Sequence, residues 1–215
     1  NAFIPAAERY HLVPEVDRWV IRHALRALAA PDCLLGPDAF ITINLSGQSM
    51  SDLSLYDYVV GELKASGVEA HRVWFEITES AVIDLPELAI DVMHRLHNLG
   101  VKVYLDDFGT GYSSLSYLQR LPIDILKIDR SFVHEIGNKE EHTEIVAAII
   151  AMAHILRLRV VAEGIEDMEQ YAILGERGCD VIQGYLFSRP VAQEDIEKLL
   201  ADLPAGDAQG LTESA

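Results

Sequence analysis

Cysteine is nearly absent from this chain: Cys33 and Cys179 stand far apart in 215 residues. Two distant cysteines build no disulfide framework, and a reducing cytoplasm is the simpler setting. Basic side chains are scarce as well, with 17 Lys and Arg against 34 Asp and Glu, a formal charge of -17. Such a field repels polyanions, so nucleic acid polymers are poor partners. An acidic site can still take a phosphate ligand where metal cations bridge the two. Long hydrophobic runs are missing. The longest, Ile145 to Leu156, lies between Glu144 and Arg157. It is too short to span a bilayer and reads as a buried helix, so no membrane contact is expected from this segment. No signal-peptide pattern opens the sequence, and no low-complexity block or short-period repeat stands out. What remains is a half-hydrophobic chain, long enough for one large core and short for two domains.

Short β-rich runs alternate with helical patterns. The strand candidates are "FITINLS" (40–46), "RVWFEIT" (72–78), "VKVYLDDF" (101–108), "DILKIDR" (124–130), "RVVAEGI" (159–165) and "DVIQGYLF" (180–187). Their length and their Val, Ile, Phe and Tyr content favour strand over helix. One helix is expected from Ser51 or Asp52, either a plausible N-cap, to Gly67. Another should start at Asp84, with Pro86 in its first turn, and stop at Gly100. The runs starting at Glu140 and at Asp167 follow the same logic. Strands alternating with helices imply a parallel α/β architecture. The polar stretch 203–215 reads as a disordered tail or linker, so the domain is expected to end near residue 203.

Each strand candidate carries a polar side chain near its C-terminal end: Asn44, Glu76, Asp106, Lys127, Glu163 and Gln183. In parallel barrels and open α/β sheets the active site lies at the carboxyl ends of the strands. Taken singly, such an Asn or Gln satisfies loop backbone, such an acid caps the next helix, and such a Lys is solvated. Six together around one opening are harder to explain that way, because buried charges must be paired or must hold a metal. Carboxylates with an amide oxygen suit Mg²⁺ or Mn²⁺ rather than zinc. The histidines offer no ligand spacing at the strand ends; His94 and His97 share a helix face and read as surface residues. The chemistry points to a metal-dependent enzyme acting on an anionic small molecule. Two metals could hold the attacking and leaving oxygens of an in-line displacement, and Lys127 would add positive charge beside them.

The adjacent pair Asp106-Asp107 raises a geometric question, because neighbouring side chains on a strand face opposite ways. The regular strand is expected to end at or just after Asp106, with both carboxylates converging on one site. Gly109 and Gly111 would permit the bend.

The ordered pieces "FIPAAERYHLV", "INLSGQSM", "FEITESAVI", "LDDFGTGYSSLSYLQRLPIDILKIDRSFV", "VVAEGIED" and "GCDVIQGYLFSRP" resemble the EAL-domain cyclic-di-GMP phosphodiesterases of bacteria, from Phe3 to about Pro190. The resemblance implies a TIM-like (β/α) barrel whose first strand runs antiparallel. It implies hydrolysis of cyclic di-GMP to linear pGpG by a metal-activated water, with two Mg²⁺ or Mn²⁺ ions. By motif, Asn44, Glu76, Asp106 and Asp107 look like metal ligands, and Glu163 looks like a metal-linked or general-base glutamate. Lys127 looks like the lysine that helps activate the water. Gln183 looks like the site glutamine, and Glu79 like the anchor of the "DDFGTGYSS" loop. The resemblance also implies a bacterial cytoplasmic location, a homodimer, and a sensor or GGDEF domain upstream.

One departure stands out. The family's Glu-Ala-Leu motif lies on a strand upstream of the "FIP" segment, and the chain begins at Asn1, directly before Phe3. The expectation is that the first two strands, including the EAL strand, precede Asn1 in the native protein. Strands supplied by another copy, or a natural truncation, are the alternatives. With that glutamate missing, activity of this exact chain is open, and the competing function is a non-catalytic cyclic-di-GMP receptor or a regulatory dimerisation domain.

Overall fold

Val, Ile, Phe and Tyr fill the strand candidates because their branched and ring side chains fit a pleated surface that helices cover. The computed structural model describes residues 3–30, 33, 36, 39–83, 87–110, 115–137, 140–192, 195, 196 and 199. The expected tail 204–215, Asp84, Pro86 and Gly111 lie outside the described residues. The chain divides into two compact units, Asn1–Asp124 and Ile125–Ala215.

In the first unit, helices α1 (Phe3–Arg9) and α2 (Val13–Ala29) precede the first strand. Val13, Asp17, Ile21, Leu25 and Leu28 are buried along one side of α2, at the spacing of a single helix face. Strand β1 (Ile41–Asn44) leads through α3 (Gly47–Met50) and α4 (Leu55–Ser66) to β2 (Val73–Thr78). Helices α5 (Glu79–Ile83) and α6 (Glu87–Asn98) then lead to β3 (Lys102–Phe108), and α7 (Leu115–Leu118) follows. The three strands pair in parallel and in chain order, Asn44 beside Glu76, Glu76 beside Tyr104, and Thr78 beside Asp106. Ile43, Phe75, Ile77, Val103 and Leu105 form the apolar face and are at most 2% exposed. Burial of each such side chain contributes about 1.5–3 kcal/mol. The alternate residues carry the chemistry on the other face.

The start of α4 differs from expectation. Asp52 does not cap it, because its carboxylate is already used. It accepts hydrogen bonds from the backbone N–H and hydroxyl of Ser54 (2.9 and 2.6 Å) and from Arg18 (2.7 Å). The Ser54 hydroxyl, its N–H and Arg18 hold that carboxyl below the usual range, with partial burial opposing them. The segment is thereby fixed as a turn, and the helix begins at Leu55.

The second unit contains β4 (Ile125–Ile128), α8 (Arg130–Val133), α9 (Glu140–Ile155), β5 (Arg159–Glu163), α10 (Met168–Glu176) and β6 (Val181–Gln183). Its strands are also parallel and in chain order. The apolar run at 145–156 forms α9, but only Val146, Ile150 and Ala153 are buried, while Ile145 and Ile155 are exposed. The expected buried helix is therefore a surface helix, because it covers the unit with a single stripe. Strand β6 stops at Gln183 rather than near residue 187, for a steric reason given below. Cys33 and Cys179 are free thiols, and burial pushes Cys179 up to about 11. No helix among the described residues is long and apolar enough to cross a membrane.

One device recurs in both units. Val103 N–H, near the start of β3, donates to Asp124 (3.0 Å), which also meets His97 (3.3 Å) and Lys102 (2.9 Å). Val160 N–H, near the start of β5, donates to Asp180 (2.8 Å), which also meets His154 (2.9 Å). His97 is thus half-buried and bonded rather than a plain surface residue. In each case an aspartate just before one strand accepts from the N–H of the second residue of the strand before it. Asp180→Ala should leave the buried Val160 N–H without its acceptor and lower stability by about 1–3 kcal/mol. A fall in the urea midpoint at unchanged slope checks this.

Candidate metal centre and catalytic site

Register decides which polar groups meet. In the first unit, Asn44 and Glu76 are side by side on adjacent strands, and Thr78 is beside Asp106. Because Glu76 and Thr78 are two apart, Asn44, Glu76 and Asp106 share one face at the carboxyl ends of β1, β2 and β3. Glu76 and Asp106 are each 7% exposed, whereas Asn44 is exposed. Beneath them on the same face Trp74 stacks on Phe40 and meets Tyr104 edge-on. This aromatic layer forms an apolar floor under the acids.

Asp107 resolves the question of the adjacent acids. Strand β3 runs to Phe108, the last residue of the run 101–108 and two residues past Asp106. Yet Asp107 has a φ of 54°, a left-handed conformation that breaks the alternation of faces. Its N–H donates to the Asp106 carboxylate at 2.9 Å, and the two carboxylates bring oxygen atoms within 4.8 Å of one another. The convergence comes from a backbone inversion inside the strand rather than from the strand's end. A non-glycine residue held there costs of order 1–3 kcal/mol, a strain that the surroundings must offset. Part of the offset is visible: Thr110 donates from its hydroxyl (2.8 Å) and N–H (3.3 Å) to the Asp107 carbonyl. Glu79, only 1% exposed, accepts from Gly109 N–H at 2.8 Å. Glu79 therefore grips the start of the loop that follows the two acids.

In the second unit, Glu163 and Gln183 are side by side at the ends of β5 and β6. Lys127 lies beside Val161, two residues before Glu163, and so faces the same way. Its ammonium is 3.3 Å from Glu163, and the two side chains are 6% and 33% exposed. A buried cation held to a half-open carboxylate leaves the carboxylate's outer edge for another ligand.

Two glycines with no distinguishing local signal in the sequence shape this end of the unit. Gly164, directly after Glu163, has a φ of 80°, and a Cβ there would lie 2.6 Å from the Arg130 Cβ. A Cβ on Gly184 would lie 2.1 Å from the Ile165 carbonyl oxygen and 2.3 Å from its nitrogen. The backbones touch because Ile165 N–H donates to Gln183 O (3.2 Å) and Leu186 N–H donates to Ile165 O (3.0 Å). The chain after Gln183 turns to make those bonds, which ends β6. A cavity of about 470 Å³ opens beside it, lined by Arg130, His134, Glu163, Gln183, Tyr185 and Arg189 among others.

In each unit, adjacent parallel strands joined by helices gather polar side chains at their carboxyl ends, acids and an amide in the first, a lysine, an acid and a glutamine in the second, as in α/β proteins that work at those ends. The family model described as EAL domain matches residues 1–190, and the chain belongs to that family. The chain is 42% identical over 200 residues to cyclic di-GMP phosphodiesterase NbdA of Pseudomonas aeruginosa, covering 93% of this chain and 26% of that protein. It is 37% identical over 196 residues to cyclic di-GMP phosphodiesterase PdeR of Escherichia coli, covering 91% of this chain and 30% of that protein. Among solved structures, the PaMucR phosphodiesterase in complex with c-di-GMP superposes with a TM-score of 0.84 at 36% identity, covering 91% of this chain and 79% of that one. The EAL domain of Mycobacterium smegmatis DcpA gives 0.83 at 39% identity, covering 90% and 88%. The fold class is thus α/β, the TIM-like barrel class of EAL structures. The chain spans about a quarter to a third of the length of the curated relatives it matches.

Proposed function

We propose that the chain carries the hydrolytic site of a cyclic-di-GMP phosphodiesterase, which opens cyclic di-GMP to linear pGpG by in-line attack of water. The observation that supports this most is the row Asn44, Glu76, Asp106 and Asp107 at the carboxyl ends of β1–β3. Its donors are all oxygens, three of the four are carboxylates, and the row includes both buried and open members. That set fits Mg²⁺ or Mn²⁺ and lacks the nitrogen and sulfur donors that zinc prefers. Bound there, such ions would supply positive charge for the attacking and leaving oxygens of the phosphodiester.

The residues of this chain supply the rest. Asn44, Glu76, Asp106, Asp107 and Glu163 are the proposed metal ligands. Lys127 orients the attacking water and adds positive charge, held in place by Glu163. Glu163 takes the proton that the water gives up. Gln183 hydrogen-bonds at the site edge, and Glu79 holds the loop at Gly109 so that Asp107 keeps its inverted conformation. A cytoplasmic setting, a homodimer and an upstream sensor or GGDEF domain complete the reading. Incubation with cyclic di-GMP and Mg²⁺ or Mn²⁺ should yield pGpG, with no product after chelation by EDTA. Binding without turnover in either metal would instead make the chain a receptor.

A further inference from the structure

Helix α2 buries four aliphatic side chains and one carboxylate, Asp17, in a single stripe. Asp17 is 7% exposed, and one of its oxygens accepts three hydrogen bonds from neutral donors. These come from the Ser46 N–H at 2.9 Å, the Ser46 hydroxyl at 2.8 Å and the Ser49 hydroxyl at 2.6 Å. A carboxylate costs far more to bury than an aliphatic side chain of its size, and its burial depends on those hydrogen bonds. For packing alone, the stripe would be better served by Val or Leu.

What Asp17 grips is the turn that carries Asn44. Asn44 ends β1, Leu45 follows with its N–H bonded to the Glu76 carbonyl at 2.8 Å, and Ser46 comes next. Ser46 also caps α3, its hydroxyl accepting from Ser49 N–H at 3.1 Å. The Asn44 backbone is thus fixed on one side by strand pairing and on the other by Asp17. The side chain of Asn44 itself is exposed.

We propose that Asp17 is a positioning residue for metal binding, holding the 44–49 turn so that the Asn44 amide oxygen stays in register with Glu76 as a ligand. This rests on the metal-dependent reading above and extends it to helix α2. Outer partners of ligand-bearing groups typically change metal affinity by 10–100-fold when removed.

The test is Asp17→Asn in the full chain, which keeps shape and one acceptor and removes the charge. Mn²⁺ affinity is read without substrate, from the paramagnetic resonance signal of the free ion, and thermal midpoints are measured alongside. Mn²⁺ affinity should fall about 10–100-fold in Asp17→Asn. Ser49→Ala, which removes one of the three donors, should give a smaller fall and serves if Asp17→Asn does not fold. Asp124→Ala, which loosens the opposite end of β3, should lose stability with Mn²⁺ affinity unchanged. If Asp17→Asn or Ser49→Ala loses stability while Mn²⁺ affinity stays at the wild-type value, Asp17 is only structural and the proposal fails. A wild-type chain that binds no Mn²⁺ would overturn the metal reading itself, a different result from the first.

Discussion

Glu163→Gln is expected to lower cyclic-di-GMP turnover by about 10²–10⁴-fold at saturating metal, the span typical of losing a positioned proton acceptor. The substitution keeps the length of the side chain and its hydrogen-bonding edge. It removes the negative charge that faces the Lys127 ammonium at 3.3 Å and the capacity to accept a proton. Two consequences can be separated. If Glu163 acts only by holding Lys127, then Lys127→Met alone and the double variant should be equally slow, because the second change removes nothing further. If Glu163 also takes the proton, Glu163→Gln should be slower than Lys127→Met. Substrate affinity should stay within a few-fold in both variants. Full activity of Glu163→Gln with metal present would sink the assigned role.

The sequence made some of this site legible and hid other parts for identifiable reasons. Asn44, Glu76, Asp106, Lys127, Glu163 and Gln183 could be picked out because strand period and the rule of carboxyl ends act locally. Whether they were neighbours depended on register, which the sequence does not state. Asn44 beside Glu76 and Glu163 beside Gln183 came only from pairing. The adjacency of Asp106 and Asp107 was visible, and the need for a backbone irregularity followed from it. Its form was not visible, because a left-handed aspartate inside a strand is held by groups distant in sequence, such as Glu79 through Gly109. Asp17 stands out in the sequence as a lone acid at the fourth-residue spacing of Val13, Ile21 and Leu25. The start of α4 departs from the N-cap expectation because Asp52 has a competing partner, Arg18, on another helix. The His–Asp link at the strand starts was hidden likewise, since neither His97 nor His154 differs in sequence from a surface histidine.

Gly184→Ala should be strongly destabilising. A Cβ there would overlap the backbone of Ile165, its carbonyl oxygen at 2.1 Å, its nitrogen at 2.3 Å and its carbonyl carbon at 2.7 Å. A flexible side chain could swing aside; a backbone held by two hydrogen bonds cannot. To admit the methyl, the turn after Glu163 and the end of β6 must separate. That breaks the Ile165–Gln183 and Leu186–Ile165 bonds and opens the Glu163–Gln183 row. Overpacking of this kind costs about 3 kcal/mol or more, equivalent to a fall of roughly 6–12 °C in thermal midpoint for a chain of this size. Turnover should fall further than stability alone explains, because the displaced segment carries Glu163. Gly175→Ala provides the contrast. Gly175 lies in α10 with nothing within 4 Å of its would-be Cβ. There the change should be neutral or stabilising by about 0.5–1 kcal/mol, from helix propensity alone. Thermal melts of the two variants in parallel, with turnover measured at a temperature where both are folded, decide the matter. Equal midpoints would mean that the close approach of residues 165 and 184 does not hold this end of the unit together.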